Sequence, residues 1–171
     1  MESYVKALEE AILQYVGSPV LNRLKADPTN ALKLNHQLVD TTMLFMDLHS
    51  FSQISMKISQ DQVLEYLNLY LERMSEIINR YNGFIDSLIG DAIFAVFGIS
   101  NGHHADDACN AALECLRSLD ELNMRLDSQF KLDLGIGINS GKVILGNIGS
   151  KYRLKFTALG DAVNLASTLR L

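Results

Sequence analysis

The sequence predicts an α+β fold: a ferredoxin-like, largely antiparallel sheet with helices packed on one face, behind an N-terminal helical lead-in. Two observations carry that prediction. A length of 171 residues with 48% hydrophobic content suits one compact domain with a real core. The elements marked by apolar periodicity then run strand, helix, hairpin, helix, strand, strand, an order that belongs to an α+β sheet.

The lead-in comes first. In "MESYVKALEEAILQYV" the residues Val5, Leu8, Ile12, Tyr15 and Val16 recur at helical spacing, and "GSP" breaks the pattern. A second short helix is expected to start with Ser18 as cap and Pro19 at its first position, ending near "ADP". Residues 1–38 form this segment. Such a helix either dimerises or transmits a signal, or it packs on the chain's own core; its spacing leaves both open.

From Thr41 the texture changes. "TTMLFMDL" is a short apolar strand that stops at an acidic residue. "SQDQVLEYLNLYLERMSEIINRY" opens with a capping-box pattern, Ser59 and Gln62, and carries Val63, Leu67, Tyr70, Met74, Ile77 and Tyr81 on one helical face. "GFIDSLI" and "AIFAVFG" are strands joined across "GD" as a tight hairpin. "HADDACNAALECLRSLDEL" is a helix with Asp106 and Asp107 at its positive end. His103 and His104 precede it as helix-entry residues. "KLDLGIGINSGKVILGNIG" is expected to be two strands turning at "NSG", and "RLKFTALGDAVNLASTLRL" a short strand and the start of a last helix.

Charge and composition exclude several functions. A formal net charge of −5 provides no broad basic footprint, so no nucleic-acid partner is expected. Cys109 and Cys115 fit neither a metal-ligand spacing nor a disulfide framework, and both are expected to be buried free thiols. No apolar run approaches the ~20 residues of a membrane span. The start lacks a signal-peptide pattern. A cytoplasmic location follows as the expectation, with a tether to a membrane or an upstream sensor domain left open.

Two carboxylates stand out. Asp47 ends the first strand and Asp91 sits at the tip of the hairpin that is its natural neighbour, so the two can meet at one end of the sheet. Paired hard oxygen donors suit Mg²⁺, which completes its shell with water and substrate phosphates. The amides of "LHSFS", residues 48 to 52, lie beside them where phosphate oxygens can bind. Taken singly, Asp91 reads first as a turn former and Asp47 as a solvated strand end, and it is their joint placement that points to a metal.

Four ordered motifs, "LFMDLHSFS", "IGDAIFAVFG", "GINSGKVILGNIG" and "FTALGDAVNLAS", together resemble the catalytic domain of the class III adenylate and guanylate cyclases. "GSPVLNRLKADP" is also similar to the segment upstream of that domain in many bacterial members. The resemblance makes residues 39–171 the cyclase domain and implies the family's last strands, with a phosphate-binding lysine, beyond Leu171.

By that resemblance Asp47 and Asp91 hold two ions of Mg²⁺ or Mn²⁺ per site, assisted by the carbonyl of Leu48. The amides of Leu48, His49, Ser50, Phe51 and Ser52 hold the β- and γ-phosphates of a nucleoside triphosphate, and Asn164 positions the ribose. Ser87 and Thr157 take the base-reading positions, with ATP favoured through Thr157. The reaction implied is attack of the ribose 3′-hydroxyl on the α-phosphorus, giving cyclic AMP and pyrophosphate. A homodimer is implied, each site drawing its aspartates from one chain and Asn164 from the other.

The departures from the family pattern bear on activity. Ser87 stands where adenylate cyclases usually carry a base-reading lysine, Ser50 replaces a glycine of the phosphate loop, and Thr168 replaces a transition-state arginine. Arg170, two residues on, points about 200° away if the helix continues. A catalytically weak regulatory or dimerising module and a guanylate cyclase are the alternatives these departures keep open.

Overall fold

The computed structural model describes residues 1–49, 51–99, 102–124 and 131–170. In chain order the elements are α1 (Glu2–Tyr15), α2 (Ser18–Ala26), β1 (His36–His49), α3 (Phe51–Ser55), α4 (Gln60–Arg80), β2 (Phe84–Ile89), β3 (Ala92–Phe97), α5 (His104–Asn123), β4 (Asp133–Ser150), β5 (Arg153–Leu159) and α6 (Asp161–Thr168). The five strands make one sheet in the order β2-β3-β1-β4-β5, and every neighbouring pair is antiparallel.

Side chains of β1 alternate between the two faces, as strand geometry requires. Leu44, Met46 and Leu48 enter a core built with Tyr70, Met74, Ile77 and Ile78 of α4 and Ala111, Cys115 and Leu119 of α5. The capping box is present: Ser59 Oγ accepts the Gln62 amide, and the Gln62 side chain accepts the Ser59 amide at 3.1 Å. That start sets the phase by which Tyr70, Met74 and Ile77 fall on the buried face. The opposite face of the sheet is covered too. Met43, Phe94, Val96, Val143 and Leu145 pack there with Ala162, Val163 and Ala166 of α6 and Val20 of α2.

Three expectations need correction. The two strands expected around "NSG" are one continuous strand, β4, paired with β1 from His36↔Gly146 to His49↔Asp133. Asn139, Ser140 and Gly141 lie opposite Met43, Thr42 and Thr41, and Ser140 Oγ is 2.6 Å from Thr42 Oγ1. Gly141 serves close approach, not a turn: an added Cβ would stand 2.9 Å from the Ala162 Cβ. Second, only Cys115 is buried. Cys109 is exposed, because it sits about 100° around α5 from the buried Ala108. Third, α2 begins one residue earlier than expected, with Gly17 as cap and Ser18 already helical.

The lead-in divides. Helix α1 buries no residue. From α2 onward the segment docks on its own sheet: the Arg23 guanidinium lies 5.0 Å from the centre of the Phe156 ring and bonds Asn35. The Asn147 side chain donates to the carbonyls of Ala31, at 2.7 Å, and Lys33, at 2.8 Å. Strand β1 therefore starts at His36, inside the segment assigned to the lead-in.

Candidate active site

Because Met46 and Leu48 both enter the core under α4 and α5, Asp47 between them faces the side of α6. It pairs directly with Gly135 of β4. The glycines of β4 admit the end of α6 at this point: a Cβ on Gly137 would meet the Ala166 carbonyl at 2.2 Å, and one on Gly135 would meet the Arg170 carbonyl at 2.7 Å. The resulting geometry places Arg170 Nη1 3.2 Å from Asp47 Oδ2. Helix α6 ends at Thr168, so the helical angle expected to turn Arg170 away does not apply. Thr168 itself spends its hydroxyl on the Leu165 carbonyl, 2.8 Å away.

Asp91 reaches the same end of the sheet by a different route. Ile89 and Ala92 close the hairpin over Gly90 and Asp91, with Gly90 at φ +63°, a conformation glycine adopts without strain. The carboxylate of Asp91 then accepts the amide of Leu48 at 3.1 Å. One backbone amide thus ties the hairpin tip to the residue next to Asp47. In this structure the Leu48 amide is engaged by the hairpin tip. Below the pair, Tyr70 is wholly buried and its hydroxyl has no hydrogen-bond partner among the described residues. Burial chiefly, then the charges of Cys115, Asp91 and Asp47, pushes that hydroxyl's pKa well up.

Among the described residues no three His, Cys, Asp or Glu side chains gather into a metal cage. Two carboxylates supplemented by a backbone carbonyl would make a partial, hard-oxygen shell. Such a shell fits Mg²⁺ or Mn²⁺, which retain water and substrate ligands, better than a metal that needs a full protein cage.

The remaining expected site residues distribute as follows. His49 ends β1, its Nδ1 3.8 Å from Asp133 Oδ2. Phe51 is buried at the start of α3 and Ser52 follows it exposed, while Ser50 lies outside the described residues. Asn164 is exposed on α6. Thr157 is nearly buried on β5. Ser87, on β2, donates to Asp86 Oδ1 at 2.6 Å and accepts from Lys155.

Sequence reasoning missed Asp86 and the contact it makes with Lys155. A bulge in β2 falls between Ile85 and Ser87, so Asp86 is the extra residue and its side chain is re-aimed. The Asp86 side chain has 0% exposure and meets Lys155 Nζ at 2.6 Å. Its other oxygen accepts the Ala158 amide at 3.3 Å. The two edge strands of the sheet therefore touch each other through this cluster. The only sequence signal was a carboxylate interrupting an apolar strand.

A family model described as the adenylate and guanylate cyclase catalytic domain matches residues 35–170. The chain is 42% identical over 127 residues to the terminal-differentiation-specific adenylate cyclase of Dictyostelium discoideum, a stretch covering 74% of this chain and 6% of that protein. Among solved structures, the guanylyl cyclase Cya2 superposes with a TM-score of 0.75 at 32% identity, over 80% of this chain and 72% of that one. A bacterial light-regulated adenylyl cyclase superposes with a TM-score of 0.85 at 29% identity, over 98% of this chain and 48% of that one. The chain belongs to the family of adenylate and guanylate cyclase catalytic domains. It spans well under a third of the length of the curated relatives it matches. Among the described residues no helix is long and apolar enough to cross a membrane.

Proposed function

We propose that this chain is the catalytic domain of a nucleotide cyclase that converts ATP to cyclic AMP and pyrophosphate, working as a homodimer with shared sites. The observation that carries the reading is the bond from the Leu48 amide to Asp91, which ties the hairpin-tip carboxylate to the residue next to Asp47 on β1. Asp47, Asp91 and the Leu48 carbonyl would hold the metal. When bound, Mg²⁺ or Mn²⁺ would acidify the ribose 3′-hydroxyl and neutralise charge on the departing phosphate.

The protein's own contribution is positioning. Asn164, exposed on α6, is free to reach a substrate held by a second copy of the chain. The amides of residues 48 to 52 are the phosphate-binding candidates, and Ser87 and Thr157 border the base. In such an arrangement each site takes Asp47 and Asp91 from one protomer and Asn164 from its partner.

A second reading, a catalytically weak regulatory module, is favoured by two contacts. Thr168 bonds its own helix, and Arg170, two residues on, is paired with Asp47. The deciding experiment is cyclic-nucleotide formation by the purified chain with ATP or GTP and either metal, beside Asp91→Asn. Product from the wild type and none from the variant supports the cyclase. Metal-dependent nucleotide binding without product would leave the regulatory module.

A further inference from the structure

We propose that Lys155 is the specificity-determining cation of this chain, donating from β5 to the purine ring at the place where Ser87 was expected to act beside Thr157. The proposal rests on the cyclase reading above. It starts from the contact between the two edges of the sheet. Lys155 Nζ is ion-paired with Asp86 Oδ1 at 2.6 Å and donates to Ser87 Oγ, while its side chain remains 49% exposed. Asp86, Ser87 and Lys155 line a cleft of about 1120 Å³ that runs from the β2 and β5 edges to the junction of α1 and α2. Thr157, two residues along β5, faces the same side of that strand as Lys155.

The polarity of the cluster follows from counting protons. An ammonium has three to give; Asp86 takes one and Ser87 takes another, so one is left to point into the cleft. Ser87 gives its own proton to Asp86 at 2.6 Å, so it has none for a base. Asp86 is spent: its side chain has 0% exposure and already accepts from Lys155, Ser87 and the Ala158 amide. The cleft therefore presents a charged donor with no carboxylate left to accept. Adenine N1 is an unprotonated acceptor and matches that donor. Guanine N1 carries a hydrogen and cannot accept from Lys155, and the acceptor the cluster leaves it is no carboxylate but the second lone pair of Ser87 Oγ. The short side chain of Ser87 leaves the space that the Lys155 ammonium occupies, and Asp86 fixes that ammonium before substrate arrives, which lowers the ordering cost of binding.

The test pairs a protein change with a substrate change in the full chain. Cyclic-nucleotide formation is measured for ATP, for GTP and for 1-deaza-ATP, in which N1 is replaced by C–H. The wild type should prefer ATP over 1-deaza-ATP by about 10- to 100-fold in kcat/KM, the range expected for a hydrogen bond from a charged group. Lys155→Met should lower kcat/KM for ATP by a similar factor and bring the ATP to 1-deaza-ATP ratio to within about twofold of unity, whereas Lys155→Arg should keep part of it. Because Lys155→Met strips the buried Asp86 of its counter-ion, the double variant Asp86→Asn/Lys155→Met is measured beside it, with thermal melts of both. Unchanged ratios in folded Lys155→Met and in the double variant would overturn the proposal. Should the wild type form no cyclic product, the cyclase reading fails by itself. Equilibrium binding of ATP and 1-deaza-ATP to the wild type and Lys155→Met then decides on Lys155: discrimination lost in the variant supports it, and discrimination equal in both refutes it.

Discussion

Asp91 accepts the backbone amide of Leu48 at 3.1 Å, so a side chain at a hairpin tip is held by the main chain of a strand whose next-door residue is Asp47. The bond has structural and functional consequences that two substitutions separate. Asn keeps an acceptor at this position and Ala does not. Asp91→Asn should melt within a degree or two of the wild type while losing metal-dependent cyclase turnover. Asp91→Ala should lose turnover and also about 1 kcal/mol of stability, the usual net value of one hydrogen bond. Equal melting of the two variants would show that the bond contributes nothing to the fold.

Thr168 is exposed on α6 and its hydroxyl donates to the Leu165 carbonyl. An arginine there would project from the helix instead of reaching back to Asp47 as Arg170 does. Thr168→Arg should therefore raise kcat by at least about tenfold, since a preorganised cation at a developing phosphate charge is worth that much or more. A rate equal to the wild type's would mean that this position does not face the reacting phosphate.

The glycines of β4 should not be equally tolerant of a methyl group. At Gly137 a Cβ would stand 2.2 Å from the Ala166 carbonyl and 2.7 Å from the Arg170 amide, both backbone atoms that move only with the helix. At Gly141 the nearest atom is the Ala162 Cβ at 2.9 Å. Gly137→Ala should cost about 1–3 kcal/mol and detach Arg170 from Asp47, and Gly141→Ala should cost less. Chemical denaturation of the two variants checks the ranking.

The two cysteines make opposite predictions. Cys109 is exposed and should react with a maleimide within minutes under native conditions, while Cys115 should react only on unfolding. Burial, then the charge of Glu114, pushes the Cys115 thiol from its usual value of 9.0 up to about 12. Below the lower value the folded and unfolded chains both hold the proton; between the two only the folded chain does. Stability from this group is thus complete below about pH 9 and is lost as pH rises towards 12. Cys115→Val should flatten the difference in melting temperature between pH 8 and pH 10.5 relative to the wild type.

What was legible in the sequence was local. The Ser59 and Gln62 capping box, the "GD" turn and the helical stripe from Val63 to Tyr81 depend on neighbours a few residues away, and each took the form expected. "NSG" misled for the opposite reason. Its turn chemistry is real, but Gly141 is shaped by Ala162, which only the folded chain brings near. Asp47 and Asp91 stood out in the sequence because each follows an apolar run. The contact of Asp86 with Lys155 did not, because a bulge leaves no mark in residue order and because β2 and β5 lie at opposite ends of the strand order. The Arg170 pair with Asp47 likewise depends on where α6 stops, the least readable feature of a helix.

The unbroken ladder between β1 and β4 also sets an order of events during synthesis. Its partners lie roughly a hundred residues apart in the chain, which makes the central pair of the sheet a late, non-local contact. On a ribosome adding about 5–20 residues per second, β1 leaves the exit tunnel roughly 5–20 s before β4 is complete. For that interval β1 has only β3 and the helices for company, and Asp47 stands on an open strand edge. A nascent chain halted before Asp133 would expose this edge to other chains, so the yield of folded protein should depend on how promptly β4 arrives.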